Sequence, residues 1–465
     1  MQRKSVIACF WASLPLLAYA LCLILPTFDD WTYITAPFFG DLLSSGRLLP
    51  YQGYWRPFDA IIGSMLGLHH QLFPALNHLI ILLGHVGCTM LVYRLTRSRL
   101  LPAAFFFLSP GMLGAVLDID SANQVYATFW GLLSLQLYLD GKRWLWLFCV
   151  VIAIFCKENG IMYAVIPPIL AFAQQPDRNS IRREARSLCF GILLCLTYGD
   201  VRWLLTGTDG GIKSDYLDAS VLDHAKDIVQ FLSFTWLPVD FEALVFPGTR
   251  CLPLFFATLV AVVPFLFFLA KGVWDKRGSL YLYALIACFI LAAAPHLLTL
   301  FSVMHTYAGL ALAALIIAFC YHTEKPSYRL AALLMLLSCC LSDVHHWYAA
   351  YQSGLVGKEM SDDALSQSAA KPQRVFVVSI DRGERKYSTF NVIPRDAFGW
   401  GLAAQYYSDY TCATEIADTI LCPASEAEKD AQLRDITGRC SVAYDAIWLV
   451  DGKNVSVLYE SQDRK

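Results

Sequence analysis

The chain has 465 residues, of which 57% are hydrophobic and only 16% charged, and its mean hydropathy is +0.48. Soluble domains carry about 25% charged residues, so this composition predicts a polytopic membrane protein and excludes a string of soluble domains. The net charge is −2 and no basic stripe runs along the chain, which argues against a nucleic-acid partner.

The chain begins with basic residues at Arg3 and Lys4, and an uncharged apolar run from Val6 to Pro26 follows. This run is long enough to span the ~30 Å hydrocarbon core of a bilayer. It is longer than the apolar region of a secretory signal, and no small-residue cleavage site follows it. We therefore predict a retained first helix.

Further apolar stretches continue to about residue 346. They predict eleven spans, at 6–26, 73–95, 100–117, 124–139, 143–157, 160–174, 188–205, 252–270, 279–298, 306–321 and 329–346. All basic clusters fall on one side only if Ile228 to Phe246, which contains Pro238, Asp240 and Glu242, does not span. The positive-inside rule then predicts a cytoplasmic N-terminus and an external C-terminus.

The first outer loop, 27–72, contains two groups of residues whose side chains are suited to catalysis or ligand binding. Asp29 and Asp30 follow the first helix, where a carboxylate pair can accept a proton, hold a divalent cation or orient a sugar hydroxyl. A solvated helix end is the simpler interpretation of the pair alone. Later in the loop, Trp55-Arg56-Pro57-Phe58 offers a guanidinium for phosphate and aromatic rings for a sugar or the membrane interface.

Ionisable residues also occur in or beside the next spans. His78 and His85 are seven residues apart and share one helical face, where they either serve function or hydrogen-bond neighbouring helices as neutral side chains. Asp118 and Asp120 lie at the outer end of 100–117, and Lys157-Glu158 forms a charged turn that is either a neutralised pair or a phosphate contact.

The tail is different in character. We predict a membrane module over 1–350, a linker over 351–373 and a small α/β domain over 374–465, with strands at 374–380, 446–450 and 455–459 and a helix at 424–436. Three of the fifteen cysteines, Cys412, Cys422 and Cys440, lie in this tail, and export would allow one disulfide and one thiol.

Taken in order, these elements resemble the class-C (GT-C) glycosyltransferases, integral membrane enzymes that use polyprenyl-phosphate-linked sugars, and within them the protein O-mannosyltransferase-like branch. The resemblance rests on Phe28-Asp29-Asp30, Trp55-Arg56-Pro57-Phe58, the pair His78 and His85, Lys157-Glu158-Asn159 and His305-Thr306-Tyr307. One departure concerns the loop after the third helix, where this chain has Ser109-Pro110 in place of His-Pro, and Gly114 in place of the family's second acid. Asp118 or Asp120, about one turn further on, is the candidate replacement.

The resemblance implies an inverting transfer of sugar from the lipid donor to a hydroxyl of a glycan, glycolipid or protein on the outer face. It implies Asp29 as general base or as the group that orients the acceptor, assisted by Asp30 through a hydrogen bond or a divalent cation. It places Arg56 and Lys157 on the donor phosphate, with supporting roles for His78, His85, Glu158, Trp55 and Tyr307. No other cofactor is expected, and short loops with a small exported tail favour a bacterial inner membrane. The alternatives are a transporter or lipid flippase, and an inactive family member that acts in envelope assembly.

Overall fold

Among the residues that the structure describes, helices dominate, and one small sheet lies near the C-terminus. The structure is a computed structural model, and it describes residues 3–34, 48, 55–63, 76–206, 220–245, 250–296, 301–369, 371–383, 390 and 392–461. The chain divides into two units, one formed by residues 1–36 and 347–465 and the other by residues 37–346. Much of the predicted first outer loop and of the loop 206–251 lies outside the described residues.

The helices of the 37–346 unit follow the apolar stretches of the sequence. Beyond a short helix over 57–63, they are Leu76–Leu95, Leu100–Leu108, Leu113–Val116, Ala122–Leu139, Arg143–Cys156, Ile166–Gln174, Arg178–Thr206, Val221–Trp236, Glu242–Val245, Leu252–Asp275, Leu280–Ala293, Thr306–Cys320 and the start of Pro326–Gln367. Each predicted span therefore falls mainly on helix. Pro110 breaks the predicted span 100–117, because its ring cannot continue the preceding helix, and a 3₁₀ turn follows at Pro110–Met112.

Within the described residues, five helices are long and apolar enough to cross a membrane: Leu76–Leu95, Arg178–Leu205, Leu252–Asp275, Val303–Cys320 and Pro326–Gln367. Three shorter helices are also apolar, over Phe10–Cys22, Arg143–Cys156 and Leu280–His296. The prediction of a mostly helical membrane protein is confirmed at this level, whereas eleven separate spans are not established.

One helix is central to the 37–346 unit. Thr306–Cys320 is buried on nearly every side and packs against Leu100–Leu108, Val221–Trp236 and Leu280–Ala293. Small residues such as Gly309 and Ala313 allow the neighbouring backbones to approach closely. In contrast, the helix Arg178–Thr206 exposes large apolar side chains, as a helix facing lipid does. The unit thus has a packed centre and an apolar periphery.

The other unit combines the first helix, Arg3–Cys22, the short helix Asp30–Ile34 and the C-terminal part of the chain. Its sheet contains β1 (Arg374–Ile380), β2 (Glu415–Leu421), β3 (Ala446–Asp451) and β4 (Asn454–Glu460), in the order β2-β1-β3-β4. β1 is parallel to β2 and β3, and β3 and β4 form an antiparallel hairpin. The remaining helices of the tail are Pro394–Ala397, Leu402–Tyr407 and Glu426–Cys440.

The three predicted strands and the predicted helix of this tail are confirmed, and the structure adds β2, which the sequence pattern does not predict. One expectation needs correction. Residues 351–367 are not a linker, because the helix Pro326–Gln367 runs through them without a break. In the structure Cys412, Cys422 and Cys440 are free cysteines, whereas export would allow one disulfide among them.

Candidate functional site

A group of buried and half-buried charged side chains lies in the 37–346 unit, and we call Arg56, Asp59, Asp120, Lys157 and Glu158 the polar cluster. Its clearest contact joins Arg56 to Glu158. Arg56 Nε donates to Glu158 Oε2 at 2.6 Å, and a terminal nitrogen of the same guanidinium lies 2.5 Å from that oxygen. Burial acts to raise the pKa of Glu158, but the charge and hydrogen bond of Arg56 outweigh it and hold that pKa below its ordinary value. Glu158 is therefore an ionised partner that orients Arg56.

Lys157 is placed by the end of a helix. Arg143–Cys156 stops at this residue, whose backbone is extended, and a 3₁₀ helix over Glu158–Ala164 begins directly after it. The side chain is 8% exposed, and its Nζ lies 3.5 Å from the sulfur of Met304. Burial, reinforced by the charge of Arg56, lowers the pKa of Lys157 to about 8, although nearby carboxylates partly oppose this. The site therefore contains a poorly solvated cation.

The carboxylates that oppose this shift are Asp120, Asp59 and Glu158. Burial raises the pKa of Asp120, while Lys157 and a hydrogen bond from Ser121 Oγ at 3.2 Å act in the other direction. Asp59 is buried and accepts a hydrogen bond from Asn123 Nδ2 at 3.4 Å. Asp120 is one of the second-acid candidates that the sequence predicts, whereas Asp59 is not. The position of Asp59, three residues after Arg56, is the signal that identifies it.

A second basic residue was also missed. Arg202 lies in the apolar part of Arg178–Thr206, and its charge helps to lower the pKa of Glu158. An arginine inside an apolar helix is itself a signal of function, because burying a charge in a membrane is costly. The predicted span 188–205 contained this signal.

Buried amides and imidazoles adjoin the Lys157-Glu158 turn. Asn159 Nδ2 donates to Gln124 Oε1 at 3.0 Å and approaches His296 Nε2 at 3.1 Å. The ring of His296 stacks on that of His305 with their centroids 4.5 Å apart. These contacts bring the late histidines of the sequence to the turn that carries Lys157 and Glu158.

Gly114, which stands at the expected place of the second acid, has no room for a side chain. A Cβ atom at this position would lie 2.6 Å from Met304 N and 2.8 Å from Val303 C. Because such contacts are far inside van der Waals distance, an acid at position 114 is incompatible with this packing. The proposed replacements Asp118 and Asp120 are both half-buried, and the charge of Asp120 acts on Lys157.

The supporting residues His85 and Tyr307 contact each other. His85 donates from Nε2 to the carbonyl of Phe107 at 3.2 Å, so its Nδ1 accepts the hydrogen bond from the Tyr307 hydroxyl at 2.7 Å. This neutral imidazole joins three helical segments, which matches the structural alternative considered for the histidines. His78 is buried on the same helix.

Trp55 is packed among aromatic residues beside the polar cluster. Its ring stacks parallel to Tyr198, with centroids 6.3 Å apart, and tilts against Phe155 at 5.0 Å. The indole nitrogen donates to the carbonyl of Leu48 at 3.3 Å. These contacts fix the residue that directly precedes Arg56.

Asp29 and Asp30 belong to the other unit, together with the C-terminal part of the chain. Asp30 is buried, and its Oδ2 accepts a hydrogen bond from Thr27 N at 3.2 Å, while its own N–H donates to Thr27 O at 3.0 Å. This reciprocal pair starts the helix Asp30–Ile34. Asp29 is half-buried.

The segment around these acids is anchored on the C-terminal tail. Phe28 N donates to Asp396 O at 2.8 Å, and the indole of fully buried Trp31 donates to Ala397 O at 3.3 Å. Gly399 has φ +57°, and a Cβ there would lie 2.3 Å from the Trp31 ring. Only glycine suits both this backbone conformation and this contact.

The polar cluster combines cations suited to an anionic group with carboxylates suited to proton transfer, next to apolar helices. Asp29 and Asp30, the pair considered for a divalent cation, are not part of a three-residue group of metal ligands in the described part of the chain. Comparisons with protein-family models, curated proteins and solved structures found no match.

Proposed function

We propose that this protein is a glycosyltransferase that moves a sugar from a polyprenyl-phosphate-linked donor to an acceptor hydroxyl, with inversion at the anomeric carbon. The observation that carries the proposal is the polar cluster, in which half-buried Arg56 and buried Lys157 lie among carboxylates. A donor of this class has an isoprenoid chain for the apolar helices and a phosphate for these cations.

The reaction requires stabilisation of the leaving group. The acceptor oxygen bonds to the anomeric carbon, the bond from that carbon to the phosphate oxygen breaks, and polyprenyl phosphate leaves with an added negative charge. Cations fixed in advance in a poorly hydrated site stabilise such a charge more than water does. Arg56, oriented by Glu158, and Lys157 supply them.

The acceptor hydroxyl loses its proton to a carboxylate. The resemblance assigns this role to Asp29, with Asp30 as its helper. Within the polar cluster, Asp120 and Asp59 are the candidates for the second acid. Burial raises the pKa of Asp120, and this higher pKa makes its carboxylate a stronger base for proton transfer.

The membrane arrangement follows from the same resemblance and from the basic clusters. We propose up to eleven spans of GT-C type, with the N-terminus in the cytoplasm of a bacterium and the C-terminal α/β domain in the periplasm. The acceptor is then a glycan, a glycolipid or a protein of the envelope, and the C-terminal domain presents it.

The direct test uses purified full-length protein in lipid nanodiscs, synthetic polyprenyl-phosphate hexoses and pentoses, and envelope extract as acceptor. Release of polyprenyl phosphate is measured together with transfer of labelled sugar. We expect both from the wild type, a loss of at least about a hundredfold in Asp29→Asn, and wild-type activity in a control at exposed Asp140, Asp140→Asn. Near-normal transfer by Asp29→Asn would remove Asp29 from the mechanism while leaving the reaction class in place.

Two results would overturn the reaction class. Movement of a solute or lipid across liposomes without release of polyprenyl phosphate favours a transporter or flippase. Envelope glycans that are unchanged in a deletion strain by mass spectrometry, combined with full function of Asp29→Asn and Arg56→Ala in cells, favour an inactive assembly protein.

A further inference from the structure

A second buried group of ionisable side chains lies in the 37–346 unit and shares no residue with the polar cluster. It consists of Asp240, in the segment between the helices Val221–Trp236 and Leu252–Asp275, and of His345 and His346 on the helix Pro326–Gln367. One ligand atom from each residue lies within 4.8 Å of the other two. Nothing in the proposed glycosyl transfer uses these residues.

The carboxylate of Asp240 is held in a fixed position. The residue is fully buried, its Oδ1 accepts a hydrogen bond from Ala243 N at 2.9 Å, and its own N–H donates to Thr258 Oγ1 at 3.2 Å. The carboxylate is therefore oriented by the turn that starts the helix Glu242–Val245.

The tautomer of His346 is set by its own helix. Its Nδ1 lies 2.6 Å from the carbonyl oxygen of Ser342, which can only accept, so Nδ1 carries the proton. In the neutral ring Nε2 then presents a lone pair, and this nitrogen is 3.8 Å from Asp240 Oδ1. Two electron-pair donors at this separation suit a cation between them.

His345 completes the group. Its Nδ1 is 2.7 Å from Asp240 Oδ2 and its side chain is 14% exposed. An ion pair between His345 and Asp240 accounts for this contact, but it does not explain why the lone pair of His346 faces the same carboxylate. A metal ion between them explains the position of His346, because a hydrogen bond from the second ring nitrogen to a carbonyl is the usual support of a metal-binding histidine.

We propose that Asp240, His345 and His346 bind one divalent transition-metal ion, with Zn²⁺ as the first choice. Two imidazole nitrogens and one carboxylate oxygen form a common zinc ligand set, and water fills the remaining tetrahedral position. The ion joins the segment 237–241 to the helix Pro326–Gln367, so it acts first as a structural link.

The test uses full-length protein purified in detergent through an affinity tag that contains no histidine. Metal content is measured by inductively coupled plasma mass spectrometry after growth with zinc. We expect about one zinc per chain in the wild type, and loss of most of it in Asp240→Asn and in the double variant His345→Ala/His346→Ala. The control is His322→Ala, which removes an exposed histidine near the start of the same helix and keeps the metal.

A second measurement on the wild type covers the case in which these variants fail to fold. Removal of metal with a chelator lowers Tm and added Zn²⁺ restores it, and Co²⁺ in place of Zn²⁺ gives the visible absorption of a four-coordinate ion. A wild-type protein that contains no metal, with a Tm that neither chelator nor Zn²⁺ changes, overturns the proposal. Retention of zinc in folded Asp240→Asn also overturns it. Neither result bears on glycosyl transfer.

Discussion

Two nitrogens of Arg56 contact one and the same carboxylate oxygen of Glu158, at 2.6 and 2.5 Å. The residues are about a hundred positions apart in sequence, and one lies at the start of a short helix and the other in a 3₁₀ turn. This contact connects the Arg-Pro element of the first loop to the Lys-Glu turn, so the two motifs form one structural feature.

Glu158→Gln tests this connection. We expect the KM for the lipid donor to rise roughly tenfold, because a hydrogen bond between charged groups that orients Arg56 contributes about 1.5–3 kcal/mol. The effect on kcat should be smaller. Steady-state kinetics with donor varied checks this, with Glu324→Gln at an exposed glutamate as control. An unchanged KM would mean that Glu158 does not position Arg56 for the donor.

The lowered pKa of Lys157 leads us to expect that donor binding depends on pH. Its pKa is lowered to about 8, so the ammonium is present below this pH and is lost as the pH rises through it. Since the phosphate needs the cation, the KM for the donor should be lowest below pH 8 and should rise between pH 8 and 9. Lys157→Met should raise KM throughout and abolish this rise, whereas Lys142→Met, at an exposed lysine, should keep the wild-type profile. If the KM of Lys157→Met rises between pH 8 and 9 as in the wild type, the rise comes from the titration of another group.

Gly114→Ala tests the packing at the position of the missing acid. Its Cβ would lie 2.6 Å from Met304 N, and overpacking of this kind costs about 1–3 kcal/mol. We expect a lower Tm and a lower yield of folded protein. Gly199→Ala is the matched control, because nothing lies within 4 Å of its Cβ and alanine favours the helix. Equal Tm values for both variants would show that the segment containing Val303 and Met304 moves aside at little cost in stability.

The raised pKa of Asp396 leads us to expect that the stability of the other unit depends on pH. Burial, partly offset by Arg395, raises its pKa to about 6 from an ordinary 3.8. A raised carboxyl pKa stabilises the folded state at low pH, and this contribution is lost as the pH rises through about 6. Asp396→Asn should therefore match the wild type near pH 4 and be more stable at pH 8, by roughly 3 kcal/mol at most.

Thermal unfolding of the full-length protein between pH 4 and 8 measures this difference. Asp363→Asn, at an exposed aspartate of the same unit, should show no such trend. A difference between Asp396→Asn and the wild type that does not change with pH would mean that Asp396 keeps an ordinary pKa.

The sequence predicts the helices well because burial in lipid or in a packed centre requires long apolar runs. It predicts β1, β3 and β4 because their apolar residues are bounded by turn-forming residues. It misses β2, Glu415–Leu421, because this edge strand mixes polar with apolar side chains. It also misses the break at Pro110, where apolar residues continue on both sides of the proline.

The candidate site is predictable one residue at a time but not as a group. Arg56, Asp120, Lys157 and Glu158 stand out because charges are rare in this chain. Their grouping depends on how the helices pack, which no local pattern contains. For the same reason, the sequence does not reveal that Asp29 and Asp30 belong with the C-terminal tail, whose anchoring contacts, such as Trp31 with Ala397, join residues 366 positions apart.

That anchoring has a consequence for biosynthesis. The residues around Trp31 leave the ribosome early, but Ala397, Gly399 and Tyr406 are translated only after the whole of the intervening unit, Pro37–His346. At about 5–20 residues per second, the first segment waits on the order of 20–70 seconds for its partners. During this interval Trp31, which is fully buried in the folded protein, lacks its native partners. A chain that ends before residue 397 never acquires them, and we expect such a chain to be degraded faster than the full-length protein.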